Sequence, residues 1–182
     1  MSKVSRFART VLLGAVAAVA VGCVHQPERP LAADHPHVDL SRYMGAWYVI
    51  ANVPYFAERG NVASRDVYAL DKDSRIQTTY VYRKTLDGEE KTTTSVGTVV
   101  PGTDNSRWVV RFFGLFHTDY WILDLAPDYS WALIGQPDHK LGWVLARSPE
   151  MNEPTYQSLL EKFRGFGYDT TMFERVPQLP AR

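Results

Sequence analysis

Apolar and polar residues alternate along most of this chain with the period of two that marks strands half-buried in a sheet. Segments near 46–53, 65–71, 75–84, 91–100, 106–113, 118–125, 129–136 and 141–147 each carry β-branched and aromatic residues. Turn residues separate them: Asp71-Lys72-Asp73-Ser74, Leu86-Asp87-Gly88, Pro101-Gly102-Thr103-Asp104-Asn105, Ala126-Pro127-Asp128 and Pro137-Asp138-His139-Lys140. Links this short join strands that run antiparallel. Eight consecutive antiparallel strands either stack as a sandwich or close into an up-and-down barrel, and closure removes exposed edges.

The period changes after the strands. Tyr156, Leu159, Leu160 and Phe163 recur at helical spacing, with Asn152 as N-cap, Pro154 in the first turn and Gly165 past the end. This helix needs an apolar surface to cover. Segment 118–125 offers one: Trp121, Leu123 and Leu125 share a face under the helix, while Tyr120 and Ile122 point into the barrel. In 106–113, Trp108, Val110 and Phe112 alternate with Arg107, Val109 and Arg111, an aromatic inner face behind a wetter outer one. Gly97 and Gly135 interrupt strand patterns, where barrels place bulges or sharp bends.

The first 22 residues belong to a different class of segment. Lys3, Arg6 and Arg9 precede an apolar run from Val11 to Val21 that is too short to span a bilayer, the layout of a secretory signal. The sequence Ala20-Val21-Gly22-Cys23 resembles the lipobox of bacterial lipoproteins, with Ala20 where leucine is usual. The resemblance implies a lipid-modified Cys23, carrying diacylglycerol and palmitate, as the first mature residue. Because Val24 rather than aspartate follows, it implies the outer membrane as destination, with the domain facing the periplasm. Cleavage after Ala18-Val19-Ala20 is the competing reading and would release a soluble protein with a free thiol. Cys23 is the single cysteine, so the folded domain has no internal disulfide and its stability comes from its core.

Residues 23–37, rich in proline and polar side chains, form a flexible tether, and 38–182 form one domain of ordinary size. His25, His35 and His37 in the tether are solvent-facing residues before they are metal ligands. The signal takes three of the 20 basic residues and none of the 20 acidic ones, leaving a slight negative charge and no basic patch for nucleic acid.

Three separated motifs then resemble one family, the lipocalins, and in particular the bacterial outer-membrane and apolipoprotein D-like branch. Gly45-Ala46-Trp47-Tyr48 resembles G-x-W-Y of the first strand, Thr118-Asp119-Tyr120 the second motif, and Arg147 in Leu145-Ala146-Arg147-Ser148-Pro149 the arginine of the third. The phrases "ERG", "FFGLF", "YWIL" and "WVLAR" are similar to the same branch. The resemblance implies an all-β fold, an eight-stranded antiparallel up-and-down barrel with one C-terminal helix packed outside. It also implies a closed end, where Arg147 lies across the Trp47 indole and Gly45 lets the chain enter tightly. Asp39 would cap a short helical segment there, and Val38, Leu40, Tyr43 and Met44 would plug the end.

The opposite end would hold a lipophilic ligand. By resemblance its contacts are Phe56, Tyr68, Phe112, Tyr120, Ile122 and Trp143, and strand parity adds Trp108 and Val110. Tyr80, Tyr82, Arg83, Lys84, His117 and Asp119 are candidates for a headgroup. The implied partners are a fatty acid, a lysophospholipid or a similar amphiphile, with no cofactor and no metal. An enzyme finds little support: there is no G-x-S-x-G, H-E-x-x-H, Walker loop or C-x-x-C, and the His117–Asp119 and Asp138–His139 neighbourhoods lack a nucleophile. A filled barrel acting as an anchored envelope interaction protein is the remaining alternative, distinguished by an exposed apolar patch outside the cup.

Overall fold

In the computed structural model, residues 35–112, 114 and 116–181 are described. The signal segment, Cys23 and His25 lie outside them. The period-two segments form β1 (Gly45–Asn52), β2 (Val62–Leu70), β3 (Ile76–Arg83), β4 (Lys91–Val99), β5 (Arg107–Phe112), β6 (Phe116–Leu125), β7 (Trp131–Gly135) and β8 (Gly142–Ala146). Each pairs antiparallel with its neighbour in sequence, and β1 pairs with both β2 and β8. The sheet therefore closes on itself, as the barrel reading requires and the sandwich reading does not.

A ninth strand, Glu174–Arg175 (β9), had no sequence signal. It pairs with Ala51 and Asn52 of β1. β1 explains why it is needed: its first half, Gly45 to Tyr48, pairs with β2, but a bulge between Val49 and Ala51 carries the second half away. The C-terminal tail fills the resulting seam. Val176 N donates to Ile50 O (3.0 Å) and Ala63 N to Pro177 O (2.7 Å). Gln178 Nε2 donates across the seam to Val49 O (2.7 Å) and Ser64 O (3.1 Å).

Helix α2 (Glu153–Gly165) begins where Asn152 Oδ1 accepts from Thr155 N (2.9 Å), with Pro154 in its first turn. Tyr156, Leu159, Leu160 and Phe163 pack on the outside of the barrel, against Ile50, Leu123, Leu133 and Val144. The covered surface thus spans β1, β6, β7 and β8 rather than 118–125 alone. Gly165 lies within the helix, and the stop falls at Gly167, whose φ is +93°. The expected face of β6 also changes partway. A bulge between Ile122 and Asp124 reverses the alternation, so Leu125 joins the interior cluster while Trp121 and Leu123 pack towards the helix. Asp124 instead reaches Lys162 of α2 at 2.9 Å.

Gly135 is explained by close approach, not by a bulge. Its strand pairing is regular, but an ideal Cβ there would lie 2.1 Å from the Tyr168 hydroxyl and 2.7 Å from Leu123 Cδ1. That hydroxyl accepts from Gln136 N (2.8 Å) and donates towards Gln136 O (3.0 Å), holding the segment after α2 against the barrel. Gly135→Ala should therefore displace Tyr168 and cost roughly 1–3 kcal/mol, the usual range for overpacking. Denaturant titration of the two proteins checks this, and an unchanged midpoint would refute it.

A cup with one sealed end

The short helix α1 (Leu40–Tyr43) seals one end. Asp39 caps it through Oδ1, which accepts from Ser41 N (2.9 Å) and Arg42 N (3.3 Å). Three orphan carbonyls then face inward at the helix end, and Arg147 meets them. Its Nη2 donates to Arg42 O (2.7 Å), Tyr43 O (3.1 Å) and Met44 O (3.0 Å), and its Nη1 to Ala46 O (2.8 Å). The guanidinium carbon sits 3.9 Å from the centre of the Trp47 ring. Trp47 Nε1 donates to Tyr43 O (2.7 Å). Gly45 has φ +94°, and a Cβ on it would stand 3.4 Å from Arg147 Nη1, so both its backbone and its lack of a side chain serve this junction.

Above this junction lies an aromatic and hydrogen-bonded layer. Trp108 stacks on Tyr120, with ring centres 4.6 Å apart, and meets Tyr43 edge-on at 5.4 Å. Tyr120 OH is 2.8 Å from Tyr43 OH and 2.9 Å from Tyr68 OH. Tyr68 OH donates to Asp66 Oδ2 (3.1 Å). Burial drives the Tyr43, Tyr68 and Tyr120 hydroxyls well above the usual phenol range, so they stay protonated and satisfy one another.

Over this layer opens a cavity of about 640 Å³, within the range of small-molecule sites. Tyr68, Val110, Phe112, Tyr120, Trp143 and Phe56 line it. Trp108 and Ile122, also expected as contacts, are almost fully buried in the packed layer beneath and are not part of the lining. Their parity is inward, but they stand too near the sealed end to reach the space. At the mouth, Phe56 is 91% exposed and Phe116 69% exposed, so the lip itself is apolar.

Of the headgroup candidates, Tyr80, Tyr82, His117 and Asp119 reach the cavity. Arg83 turns away to Gly88 O (2.6 Å) and Glu90 (3.4 Å). Lys84 Nζ donates to Asn61 Oδ1 (2.6 Å) and lies 5.4 Å from the Tyr82 ring centre.

Among the lining residues that escaped sequence reasoning are two carboxylates, Glu58 and Asp66. Glu58, on the loop after β1, folds inward and its Oε2 accepts from Asn52 Nδ2 (2.6 Å) and Trp143 Nε1 (2.8 Å). Burial raises its pKa, against the lowering effect of those two donors. Asp66 faces inward two positions before Tyr68, and burial, with the Glu58 charge second, pushes it up to about 7. The signal for Asp66 was present, because it shares the parity of Tyr68. Glu58 had none beyond its place in "ERG", since loops carry no period.

Among the described residues, no group of three or more His, Cys, Asp or Glu could hold a metal ion. His37 lies near Asp104, at 3.9 Å. No helix among them is long and apolar enough to cross a membrane.

Comparison with known proteins agrees with this geometry. The model of the lipocalin-like domain family matches residues 38–178. Temperature-induced lipocalin-1 of Arabidopsis thaliana is 34% identical over 151 residues, covering 78% of this chain and 80% of that protein. The outer membrane lipoprotein Blc of Vibrio cholerae is 27% identical over 160 residues, covering 86% and 91%. Insecticyanin from the tobacco hornworm Manduca sexta shares the fold with a TM-score of 0.62 at 22% identity, over 80% of this chain and 83% of that one. A barrel sealed by α1, Trp47 and Arg147, open at the other end and matched over nearly all its described length, places this chain in the lipocalin-like family.

Proposed function

We propose that the protein binds the apolar chain of a single-tailed amphiphile, a lysophospholipid or a fatty acid, inside the barrel and stores or carries it without chemical change. The observation that carries this reading is the open cavity of about 640 Å³ walled by aromatic and aliphatic side chains. Lipocalin-like proteins bind small hydrophobic ligands, and the fold is one of binding proteins rather than enzymes. Each buried methylene contributes about 0.8 kcal/mol, so a ten-methylene tail supplies roughly 8 kcal/mol before ordering costs, enough for micromolar affinity.

The Blc relative is an outer membrane lipoprotein by name, and together with the lipobox-like Ala20-Val21-Gly22-Cys23 this supports an anchored protein in the same membrane, maintaining its lipids. The chain enters the domain at the sealed end, where Val38 N donates to Asp104 O (2.9 Å). A tether from Cys23 would therefore join the folded domain at the sealed end, opposite the mouth.

Titration of the purified protein with lysophospholipids and fatty acids, followed by tryptophan fluorescence, tests this. Saturation near one ligand per chain is expected. Absence of saturable binding to every amphiphile would overturn the carrier reading in favour of a filled, interacting barrel. Phe112→Asp puts a charge on the cavity wall without touching the sealed end. It should weaken binding roughly tenfold or more, while far-ultraviolet circular dichroism stays native. Undiminished affinity in this variant would mean that the ligand does not enter the cup.

A further inference from the structure

The polar side of the cavity is one-sided in charge. Glu58, Asp66 and Asp119 belong to its described lining, and no lysine or arginine does. Neither Glu58 nor Asp66 takes part in an ion pair among the described residues. Glu58 Oε2 accepts two hydrogen bonds and Asp66 Oδ2 accepts one, whereas no bond to Glu58 Oε1 or Asp66 Oδ1 is found among the described residues. Nearby cations are engaged elsewhere: Lys84 on Asn61, and Arg147 beneath the floor on backbone carbonyls. Aromatic rings complete the surroundings, with Trp143 bonded to Glu58 and edge-on to Tyr55 at 6.4 Å. Tyr80 and Tyr82 stack at 5.2 Å. Carboxylates and ring faces both attract a positively charged nitrogen.

Building on the carrier reading above, we infer that the cup selects amphiphiles whose head carries a positively charged nitrogen, and disfavours free carboxylates, with Asp66 and Glu58 as the selecting residues. A fatty-acid carboxylate entering this space would meet like charge and find no lysine or arginine in the described lining to pair with it. A quaternary or primary ammonium would meet two carboxyls with oxygen lone pairs to spare. The raised pKa values of both carboxyls, caused first by burial, agree with a site waiting for positive charge.

The test uses three probes with the same dodecyl tail, bearing a trimethylammonium, an uncharged maltoside or a carboxylate head, titrated into the purified protein below their micelle concentrations. The trimethylammonium probe should bind at least roughly tenfold more tightly than the carboxylate, with the maltoside between. Asp66→Asn and Glu58→Gln should each shrink that ratio severalfold, with native far-ultraviolet circular dichroism showing that the fold is intact. A carboxylate that binds as well as the trimethylammonium probe overturns the charge selection and leaves the carrier reading standing. So does a preference that survives both substitutions. Failure of all three probes to saturate removes the carrier reading itself.

Discussion

Arg147→Ala should lower the melting temperature by roughly 10 °C while leaving the affinity for an amphiphile within about twofold. One guanidinium satisfies four carbonyl oxygens at 2.7–3.1 Å and covers the Trp47 ring. Truncation leaves the Arg42, Met44 and Ala46 carbonyls short of a donor, while Tyr43 O keeps Trp47 Nε1, and exposes the indole face. Charge-assisted hydrogen bonds contribute about 1.5–3 kcal/mol each when measured singly, and the cation–π contact about 0.5–2 kcal/mol. These are shared among atoms of one group and do not add, so a total near 3 kcal/mol is expected. Arg147→Lys should recover less than half of it, because an ammonium has no planar fork to reach Ala46 and Met44 together. Calorimetric scanning decides the point. An unchanged melting temperature in the alanine variant would mean that α1 is held shut by Tyr43 and Val38 alone.

Asp66→Asn should make the protein more stable than the wild type near pH 8, with the difference vanishing near pH 4. Burial raises the Asp66 carboxyl from its ordinary 3.8 to about 7 in the folded state. The folded protein thus holds this proton more tightly than the unfolded chain does. The carboxyl costs nothing below the unfolded value. Stability is lost as pH rises from about 4 through about 7, and the loss is constant above that. At about 1.36 kcal/mol per pH unit the span sets a ceiling near 4 kcal/mol, and water entering the open cavity beside the carboxyl reduces the expectation to about 2 kcal/mol. Asparagine keeps an oxygen for the Tyr68 hydroxyl but has no proton to lose. Denaturant unfolding of both proteins at several pH values is the measurement. A difference that does not change between pH 4 and 8 would show that Asp66 is hydrated and unperturbed.

The strand order was legible because alternation survives wherever one face is wet, as in Arg107, Val109 and Arg111 against Trp108, Val110 and Phe112. It misled where a bulge intervened: Leu125 moved from the helix side to the interior because one extra residue before Asp124 reversed the pleat. β9 was invisible because two residues carry no period, and its place depends on the bend of β1 rather than on its own side chains. Within the cup, parity showed which residues point inward but not how high they stand. Trp108 and Ile122 have the same inward direction as Val110 and Tyr120, yet the depth of the tyrosine layer separates packed residues from lining ones.

The seam beside β1 has a consequence for the order in which the chain acquires its shape. Tyr48 pairs with Ala146, and Gln178 reaches back 129 positions to Val49, so the second half of β1 finds its partners only far along the chain. The hairpins from β2 to β7 join neighbours, but ring closure brings together distant parts of the chain, which places folding of such β topologies on a millisecond-to-second scale. Until β8 has closed on β1, the inward aromatic faces stay open to other chains. A chain that emerges from its N-terminus must therefore be delivered through β8 before its cup closes, and removal of residues 174–178 should slow refolding and favour aggregation.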